Sequence, residues 1–417
     1  MLRFILWFSL LGVARLASAD PLTLDSALEI ATRSSPDVAA QTASVQAAES
    51  ASTAAGRLPD PKLVAGVENL PVTGSEQWSL TRDFMTMRKV GLMQDLPNGA
   101  RRAAQTAAAR AAISRAQAER RVVVLTVRRA TALAWLDRYY LDRQITLFDE
   151  LDRENQLFNE AVRAQIASGR GAAADAVAPQ QEAADIADRR DELGARIAKS
   201  RATLRRWVGA AADEPLSGEP PPMPIHTEEL RHHVHEHPEL AVFVPMTEAA
   251  QAEVHEAEAA KRPDWCVELA YGARGAPYSD MVTLEFTWNL PIFSRTRQDP
   301  QIAAKRQELH RIESERDAML RDHTEGLEAA LADYDLSWRQ LTRLRESHLV
   351  LARQKVDYLF ADYRSGKSDL SSLLGARREL VDVRLKEIEL EARRAASAAK
   401  LYYFYGAGAA NSTGEQP

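Results

Sequence analysis

Cysteine is almost absent from this 417-residue sequence, because Cys266 is the only one. A single cysteine can form neither an internal disulfide framework nor a cysteine-based zinc site. Aromatic residues are also scarce, at 6% of the chain, so the hydrophobic content of 45% is carried largely by Ala and Leu. That composition is typical of long packed helices and large enough for a substantial core.

Neither sign of charge is in large excess. The chain has 53 Lys and Arg against 59 Asp and Glu, which gives a formal net charge of −6. Without a basic excess, the composition argues against nucleic acid as a partner. The Gly-x-Ser-x-Gly, Walker and His-Glu-x-x-His motifs are missing as well. The sequence therefore predicts a protein that is not an enzyme and needs no cofactor.

The longest apolar run lies at the N-terminus and is too short to span a bilayer. Arg3 precedes an apolar run over residues 4–13, and Ala17-Ser18-Ala19 follows with small residues at the positions of a cleavage site. This pattern predicts a signal peptide over residues 1–19, with Asp20 as the mature N-terminus. No cysteine follows the run, so we expect no lipid at that terminus. Any membrane segment of the mature chain would have to be built from strands.

The mature chain is an internal duplication. Pro and Gly landmarks recur in the same order at a spacing of about 200 residues. The matching pairs are Ser35-Pro36 with His237-Pro238, Leu96-Pro97 with Leu290-Pro291, and Ser168-Gly169 with Ser365-Gly366. We therefore predict a first repeat over 20–212, a Pro-rich linker over 213–225, a second repeat over 226–406 and a disordered tail over 407–417.

Each repeat has the same predicted order of elements. A helix of some 35 residues (22–57 and 227–261) precedes a strand pair, a very long helix (100–167 and 301–364) and a closing helix (172–208 and 368–405). Coiled-coil spacing supports the second long helix, where Leu327, Leu331, Tyr334 and Trp338 step by four, three and four residues. It also supports the closing helix, where Leu374, Val381 and Ile388 recur every seven residues. A helix of this size is about 96 Å long at about 1.5 Å per residue, which no ordinary globular core requires.

The strands alternate in polarity. Leu284, Phe286 and Trp288 fall on one face of their strand, and Glu285 falls on the other. By the same alternation Glu268 faces inward on the preceding strand, where the two glutamates either favour cations in a channel or serve only solubility. This pattern fits a membrane strand or a soluble hairpin packed on helices. Four strands cannot close a membrane barrel alone, so the membrane interpretation predicts an oligomer.

The signal peptide, the duplicated helix–hairpin–helix units and the rod-length coiled coil together resemble the TolC family of outer-membrane efflux proteins. The resemblance covers the mature chain and implies a mainly α protein with a small β part. It implies a homotrimer in which four strands per chain close a twelve-stranded transmembrane barrel in the outer-membrane lipid, and in which the helices form a hollow coiled-coil barrel across the periplasm. The implied partners are a periplasmic membrane-fusion adaptor and an inner-membrane transporter of the resistance–nodulation–division (RND) type.

The resemblance also assigns residues to a periplasmic tip. Gly169 and Gly366 match the glycines that precede the closing helices, and Arg170 and Lys367 after them are candidate adaptor contacts. Asp175 matches a pore aspartate of the family. At the equivalent second-repeat position the sequence has Ser372, and a further pore aspartate is replaced by Gly375, so the acidic ring is thinner here. Asp369 is the candidate that compensates for it.

The stretches Leu58-Pro59-Asp60-Pro61-Lys62-Leu63, Glu68-Asn69-Leu70-Pro71 and 79–88 resemble the branch of the family that serves heavy-metal exporters of the cobalt–zinc–cadmium and copper–silver types. A histidine cluster also bears on metal: the candidate ligands are His232, His233, His235 and His237. Pairs at i,i+3 and i,i+4 on a helix can point two imidazoles to one side, as zinc or copper requires. A solvated helix face carries the same spacing without binding metal.

Two functions from different classes follow. The first is a passive exit duct in the outer membrane that receives substrate, in this interpretation heavy-metal cations, from a pump and its adaptor. The second is a soluble periplasmic coiled-coil scaffold or a His-rich metal-handling adaptor. The apolar strand face favours the duct, because a soluble hairpin does not need one side to be apolar along its whole length.

Overall fold

The computed structural model of the chain describes residues 21–169, 173–276 and 278–406. The predicted signal peptide and the predicted disordered tail lie outside these residues. The first repeat contains α1 (Leu24–Ser34), α2 (Pro36–Ser52), β1 (Lys62–Glu68), β2 (Met87–Leu96), α3 (Gly99–Ala167) and α4 (Ala178–Val208). The second contains α5 (Thr227–His233), α6 (Pro238–Ala241), α7 (Phe243–Ala259), β3 (Trp265–Ala273), β4 (Met281–Trp288), α8 (Gln298–Arg343), α9 (Leu349–Arg364) and α10 (Leu370–Lys400).

The first helix of each repeat is broken at a proline, so the prediction of single helices over 22–57 and 227–261 is wrong. Proline has no amide hydrogen and pushes the preceding residue toward extended backbone. Ser35 and His237 are both extended, with ψ of 122° and 135°. Each caps the helix that begins at the next residue: the Ser35 hydroxyl accepts the amide of Val38 at 3.4 Å, and Nδ1 of His237 accepts the amide of Glu239 at 3.2 Å.

The long helices are present as predicted, with one difference. The 69-residue helix α3 is continuous, whereas the second long helix contains a turn of π-helix over Leu344–His348 between α8 and α9. The closing helices also begin later than predicted. A 3₁₀ turn over Ala173–Ala176 precedes α4, and a π-helical segment over Leu401–Tyr405 follows α10. Within the described helices, none combines the length and apolar character needed to cross a membrane.

The four strands form one antiparallel sheet in the order β1-β2-β3-β4, so β1 and β4 are its edge strands. The central β2–β3 pairing joins the hairpin of the first repeat to that of the second. Asn98 connects the segment after β2 to the segment before β3, since its side chain donates to Asp264 Oδ1 at 2.8 Å. Its Oδ1 accepts the amide of Arg101 at 2.9 Å and so caps α3.

The chain divides into two compact units, each built from segments of both repeats. The helical unit comprises the described residues up to Ser34, with Val127–Pro224 and Ala332–Lys400. Its core includes the fully buried Trp135, whose indole donates to the carbonyl of Leu22 at 3.1 Å. The sheet unit comprises Ser35–Thr126, Ile225–Leu331 and the described residues from Leu401 onward. Helical residues Phe243, Ala250 and Ile312 form one of its core clusters.

Candidate functional sites

One face of the sheet carries exposed apolar side chains that line up across all four strands. Leu63, Leu92, Leu269 and Leu284 are successive partners in the register and form one row. Between 55% and 72% of each of these leucines is exposed. Neighbouring rows continue the pattern with the pairs Tyr271–Val282, Val267–Phe286 and Trp265–Trp288. Because side chains alternate along a strand, these rows lie on one face of the sheet. This face is mainly apolar, and β2 also contributes Arg88 and Gln94 to it.

The opposite face is polar and carries a cross-strand ion cluster. Nζ of Lys89 lies 2.6 Å from Glu268 Oε1 and 2.9 Å from Glu68 Oε1. Glu285 is the register partner of Glu268, so both predicted glutamates lie on this face, as their alternation indicates. Their environments differ, because Glu268 is buried against Lys89 while Glu285 is exposed. Lys89 was not predicted as a site residue from the sequence, although it occupies an inward position in the alternation of β2.

The two predicted tip glycines share one backbone conformation. Gly169 and Gly366 have φ of +75° and +73°, the left-handed region that favours glycine. The amide of Gly366 donates to the Tyr363 carbonyl at 3.1 Å, and the amide of Lys367 donates to the Asp362 carbonyl at 2.9 Å. This pair of bonds is the Schellman motif that ends a helix. The amide of Gly169 makes the same bond to the carbonyl three residues earlier, that of Ile166, at 2.9 Å.

The structure places the charged tip candidates as follows. Lys367 and Asp369 are exposed and Asp175 is half-buried, while Arg170 lies outside the described residues. Asp369 caps α10, because its Oδ1 accepts the Ser372 amide at 3.0 Å and its Oδ2 accepts the Ser371 hydroxyl at 2.9 Å. Hydrogen bonds from Ser372, followed by the one from Ser371, lower the pKa of Asp369 below its ordinary value.

Asp175 lies in the 3₁₀ turn before α4 and influences a tyrosine of the second repeat. The Tyr363 hydroxyl donates to Gln165 Oε1 at 2.6 Å. Burial raises the pKa of Tyr363, and the nearby charge of Asp175 raises it further. The Asp175 carboxylate therefore lies within electrostatic range of Tyr363, which belongs to the last turn of α9.

The four predicted metal-ligating histidines lie in different environments. The rings of His232 and His233 are 5.3 Å apart, edge to face. His232 and His235 are exposed, whereas His237 is buried. The structure groups His237 with Glu239 and His323, whose potential ligand atoms all lie within 4.8 Å of one another.

The geometry of His237 explains its burial without a metal. With Nδ1 accepting the Glu239 amide, Nε2 carries the proton and donates to the Phe404 carbonyl at 3.1 Å. Both ring nitrogens are therefore engaged in hydrogen bonds that connect the start of α6 to the π-helical segment Leu401–Tyr405. Nε2 of His323 lies 3.0 Å from Glu239 Oε2 and extends this polar cluster. The four-histidine metal site stays a prediction.

The comparisons with known proteins agree with this geometry. Residues 234–407 match the sequence model of the outer membrane efflux protein family. The structure aligns with VceC, an outer membrane protein of Vibrio cholerae, with a TM-score of 0.75 and 17% identity over 92% of this chain and 96% of that one. No curated protein sequence matches the chain.

Two further solved structures show the same likeness. CusC aligns with a TM-score of 0.74 and 17% identity over 92% of this chain and 91% of its own. The MtrE outer membrane channel of Neisseria gonorrhoeae, solved in an open state, aligns with a TM-score of 0.71 and 15% identity over 92% and 88%. The chain therefore has the fold of outer-membrane channel proteins, and its second repeat carries their efflux-family sequence pattern.

Proposed function

We propose that this protein is the outer-membrane exit duct of a tripartite efflux system. The observation that carries the proposal is the sheet, in which the exposed leucine row crosses from one edge strand to the other. Exposing such a face to water costs about 25 cal/mol per Å², whereas lipid accepts it. A lipid-facing sheet must also pair its edges, because unpaired strand edges are not tolerated in a bilayer. Three copies would pair β1 of one chain with β4 of the next and close twelve strands.

The tip is the proposed docking end for a periplasmic adaptor, which in turn contacts an inner-membrane pump of the RND type. Two Gly-terminated turns of the same conformation, at Gly169 and Gly366, present the residues that follow them. Lys367, with Arg170 beside the first glycine, is proposed to contact the adaptor. Asp175 and Asp369 are the proposed acidic groups near the tip of the pore. Selectivity would then lie mainly in the pump.

Heavy-metal cations are the proposed substrate class, resting on the resemblance of the first hairpin to the metal-exporter branch. The polar face of the sheet is compatible with cations, because acidic side chains outnumber basic ones there. The basic residues on this face are Lys62 and Lys89, and the acidic ones are Glu68, Asp95, Glu268 and Glu285. Glu285 is the exposed acid among the two predicted glutamates and is the proposed contributor to cation preference. A soluble scaffold would leave the apolar rows in water and is the weaker candidate.

The duct is tested by electron microscopy of protein extracted with detergent from outer-membrane fractions. A hollow particle with threefold symmetry supports the proposal. Recovery of a monomer without detergent contradicts it. The substrate class is tested separately by measuring growth of a deletion strain on individual metals, and the proposal of heavy metals fails if the deletion strain tolerates every metal as well as its parent does.

A further inference from the structure

A short segment between β4 and α8 exposes both apolar and basic side chains. Leu290, Ile292 and Phe293 are each between 67% and 76% exposed. Arg295 and Arg297 follow, and they are exposed and form no ion pair with any residue that the structure describes. The segment begins just beyond the Trp265–Trp288 pair of the apolar sheet face. Its apolar side chains therefore continue that face at the end of the sheet where the helices begin.

Backbone hydrogen bonds hold this segment in a turn. The Phe293 carbonyl accepts the amides of Thr296 and Arg297 at 3.1 and 3.2 Å, and the Ser294 carbonyl accepts the amide of Asp299 at 2.8 Å. The Thr296 hydroxyl also donates to the Phe293 carbonyl at 3.2 Å. The turn itself therefore keeps the apolar and basic side chains at the surface.

The first repeat uses the equivalent positions differently. The spacing of 194 residues that relates the two Leu-Pro landmarks also relates Asn98 to Ile292 and Arg101 to Arg295. The side chain of Asn98 donates to Asp264 at 2.8 Å, and Arg101 forms an ion pair with the same carboxylate at 3.1 Å. The first repeat thus directs both residues to its own chain. The second repeat has an isoleucine in place of the asparagine, and its arginine has no acidic partner among the described residues.

The acidic residues near the segment are already paired with bases, so the arginines leave this end of the sheet positively charged. The pairs are Asp95 with Lys62, Asp264 with Arg101 and Asp299 with Lys261. Arg262, just before β3, is a further exposed arginine without an ion pair in the described part of the chain, and Asp60 is an acid in the same condition. The opposite end of the sheet has no basic excess, because residues 69–86 and 274–280 together contain two arginines and three acidic residues.

We propose that the segment 290–297 binds acidic phospholipids in the inner leaflet of the outer membrane. This inference rests on the proposed function, which places the helix end of the sheet at the periplasmic surface of that membrane. The three apolar side chains lie among the acyl chains next to Trp288, and Arg295 and Arg297 reach the phosphate groups. Tryptophan favours the membrane–water interface, and basic residues near an acidic lipid surface add to binding. Continuity with the apolar sheet face favours lipid over a protein as the occupant.

The test uses the purified full-length protein in phosphatidylcholine vesicles and measures the fluorescence of Trp265 and Trp288. Bromine on an acyl chain quenches tryptophan only at close contact. One set of vesicles contains a minor fraction of brominated phosphatidylglycerol, and the other contains the same fraction of brominated phosphatidylcholine. All proteins carry Trp78→Phe, because Trp78 lies in the connection at the other end of the sheet. We expect the acidic lipid to be enriched about fivefold beside the two tryptophans, which corresponds to about 1 kcal/mol from one arginine.

Paired variants identify the arginines. Arg295→Gln with Arg297→Gln removes both charges and should lower the enrichment below about twofold. Arg295→Lys with Arg297→Lys keeps the charges and should retain the enrichment. Arg321→Gln with Arg353→Gln is the matched control, since it removes two exposed arginines of α8 and α9 that have no ion pair among the described residues. The control should leave the enrichment unchanged.

Equal quenching by the two lipids would overturn this proposal while leaving the exit duct in place, and a neighbouring copy of the chain would become the partner to examine. Undiminished enrichment in the glutamine pair, or its loss in the control pair, would also overturn it. Quenching by neither lipid would overturn both proposals, because the sheet would then not contact the bilayer. The substituted arginines are all exposed, so these variants should fold as the reference protein does.

Discussion

At the scale of the residue, the duplication shows one position performing two tasks. Ser35 and His237 precede equivalent prolines and cap equivalent helices. The imidazole does more than the hydroxyl, because its second nitrogen reaches the Phe404 carbonyl. His237 is predicted from the sequence as one of four metal ligands. In the structure it is a helix cap with an added tertiary hydrogen bond.

We expect His237→Ser to keep the cap and lose the tertiary bond. The substitution also removes the ring that lies 4.2 Å from His323 and 4.5 Å from Phe404 between centroids. The free energy of unfolding should fall by about 2 kcal/mol, measured by denaturant unfolding in detergent. His232→Ser, at an exposed position, is the control and should change stability little. Equal losses in the two variants would contradict the assigned role.

Two glycines near each other in sequence should respond to alanine in opposite directions. Gly366 has φ of +73°, so Gly366→Ala should destabilise the turn by about 1–2 kcal/mol. Gly375 lies inside α10, and a Cβ there meets nothing within 4 Å. Gly375→Ala should therefore stabilise the protein by up to about 1 kcal/mol. Thermal unfolding of both variants checks the pair, and a loss of stability in both would show that the helical position has a further constraint.

At the scale of the element, the sequence predicted the long helices and the strands well because their patterns are long and regular. Coiled-coil spacing predicts α8 and α10, and polarity alternation predicts β4. The breaks at Pro36 and Pro238 were missed although proline is a visible signal, because the flanking Ala-rich segments favour helix strongly. The π-helical segments Leu344–His348 and Leu401–Tyr405 carry no local signal, since they depend on tertiary packing.

The candidate sites were predictable to the extent that the duplication exposed them. Gly169 and Gly366 were located by their matched position, and their positive φ follows from the turn they form.

The start of α10 should respond to acid through Asp369. The hydrogen bonds of Ser372 and Ser371 to its carboxylate hold its folded pKa below the ordinary value of 3.8. Stabilisation from this cap is therefore present above about pH 4 and is lost as the pH falls through the folded pKa. We compare hydrogen exchange in the first turn of α10 between the unaltered protein and Asp369→Ala across this range. The ratio of rates should approach one in acid, and a ratio independent of pH would contradict the role of the charge.

At the scale of the whole molecule, the two faces of the sheet make a direct prediction about assembly. Leu284 lies in the exposed leucine row and Thr283, its neighbour in β4, lies on the polar face. If the apolar face meets lipid, Leu284→Arg should cost about 2–4 kcal/mol of membrane insertion, and Thr283→Arg should cost far less. The amount of protein recovered in outer-membrane fractions is the measurement. Equal recovery of the two variants would contradict the membrane assignment of this face.

The β2–β3 pairing sets the order in which the molecule can assemble. The hydrogen bond between Asn98 and Asp264 beside this pairing spans 166 residues of chain. Contacts of such long range form slowly, because the chain between them must be ordered first, whereas helical turns form from near neighbours. The first hairpin therefore has to wait, with the hydrogen-bonding edge of β2 unpaired, until the second repeat has been synthesised and delivered. We expect this interval to make the nascent chain prone to aggregation and dependent on a holding chaperone.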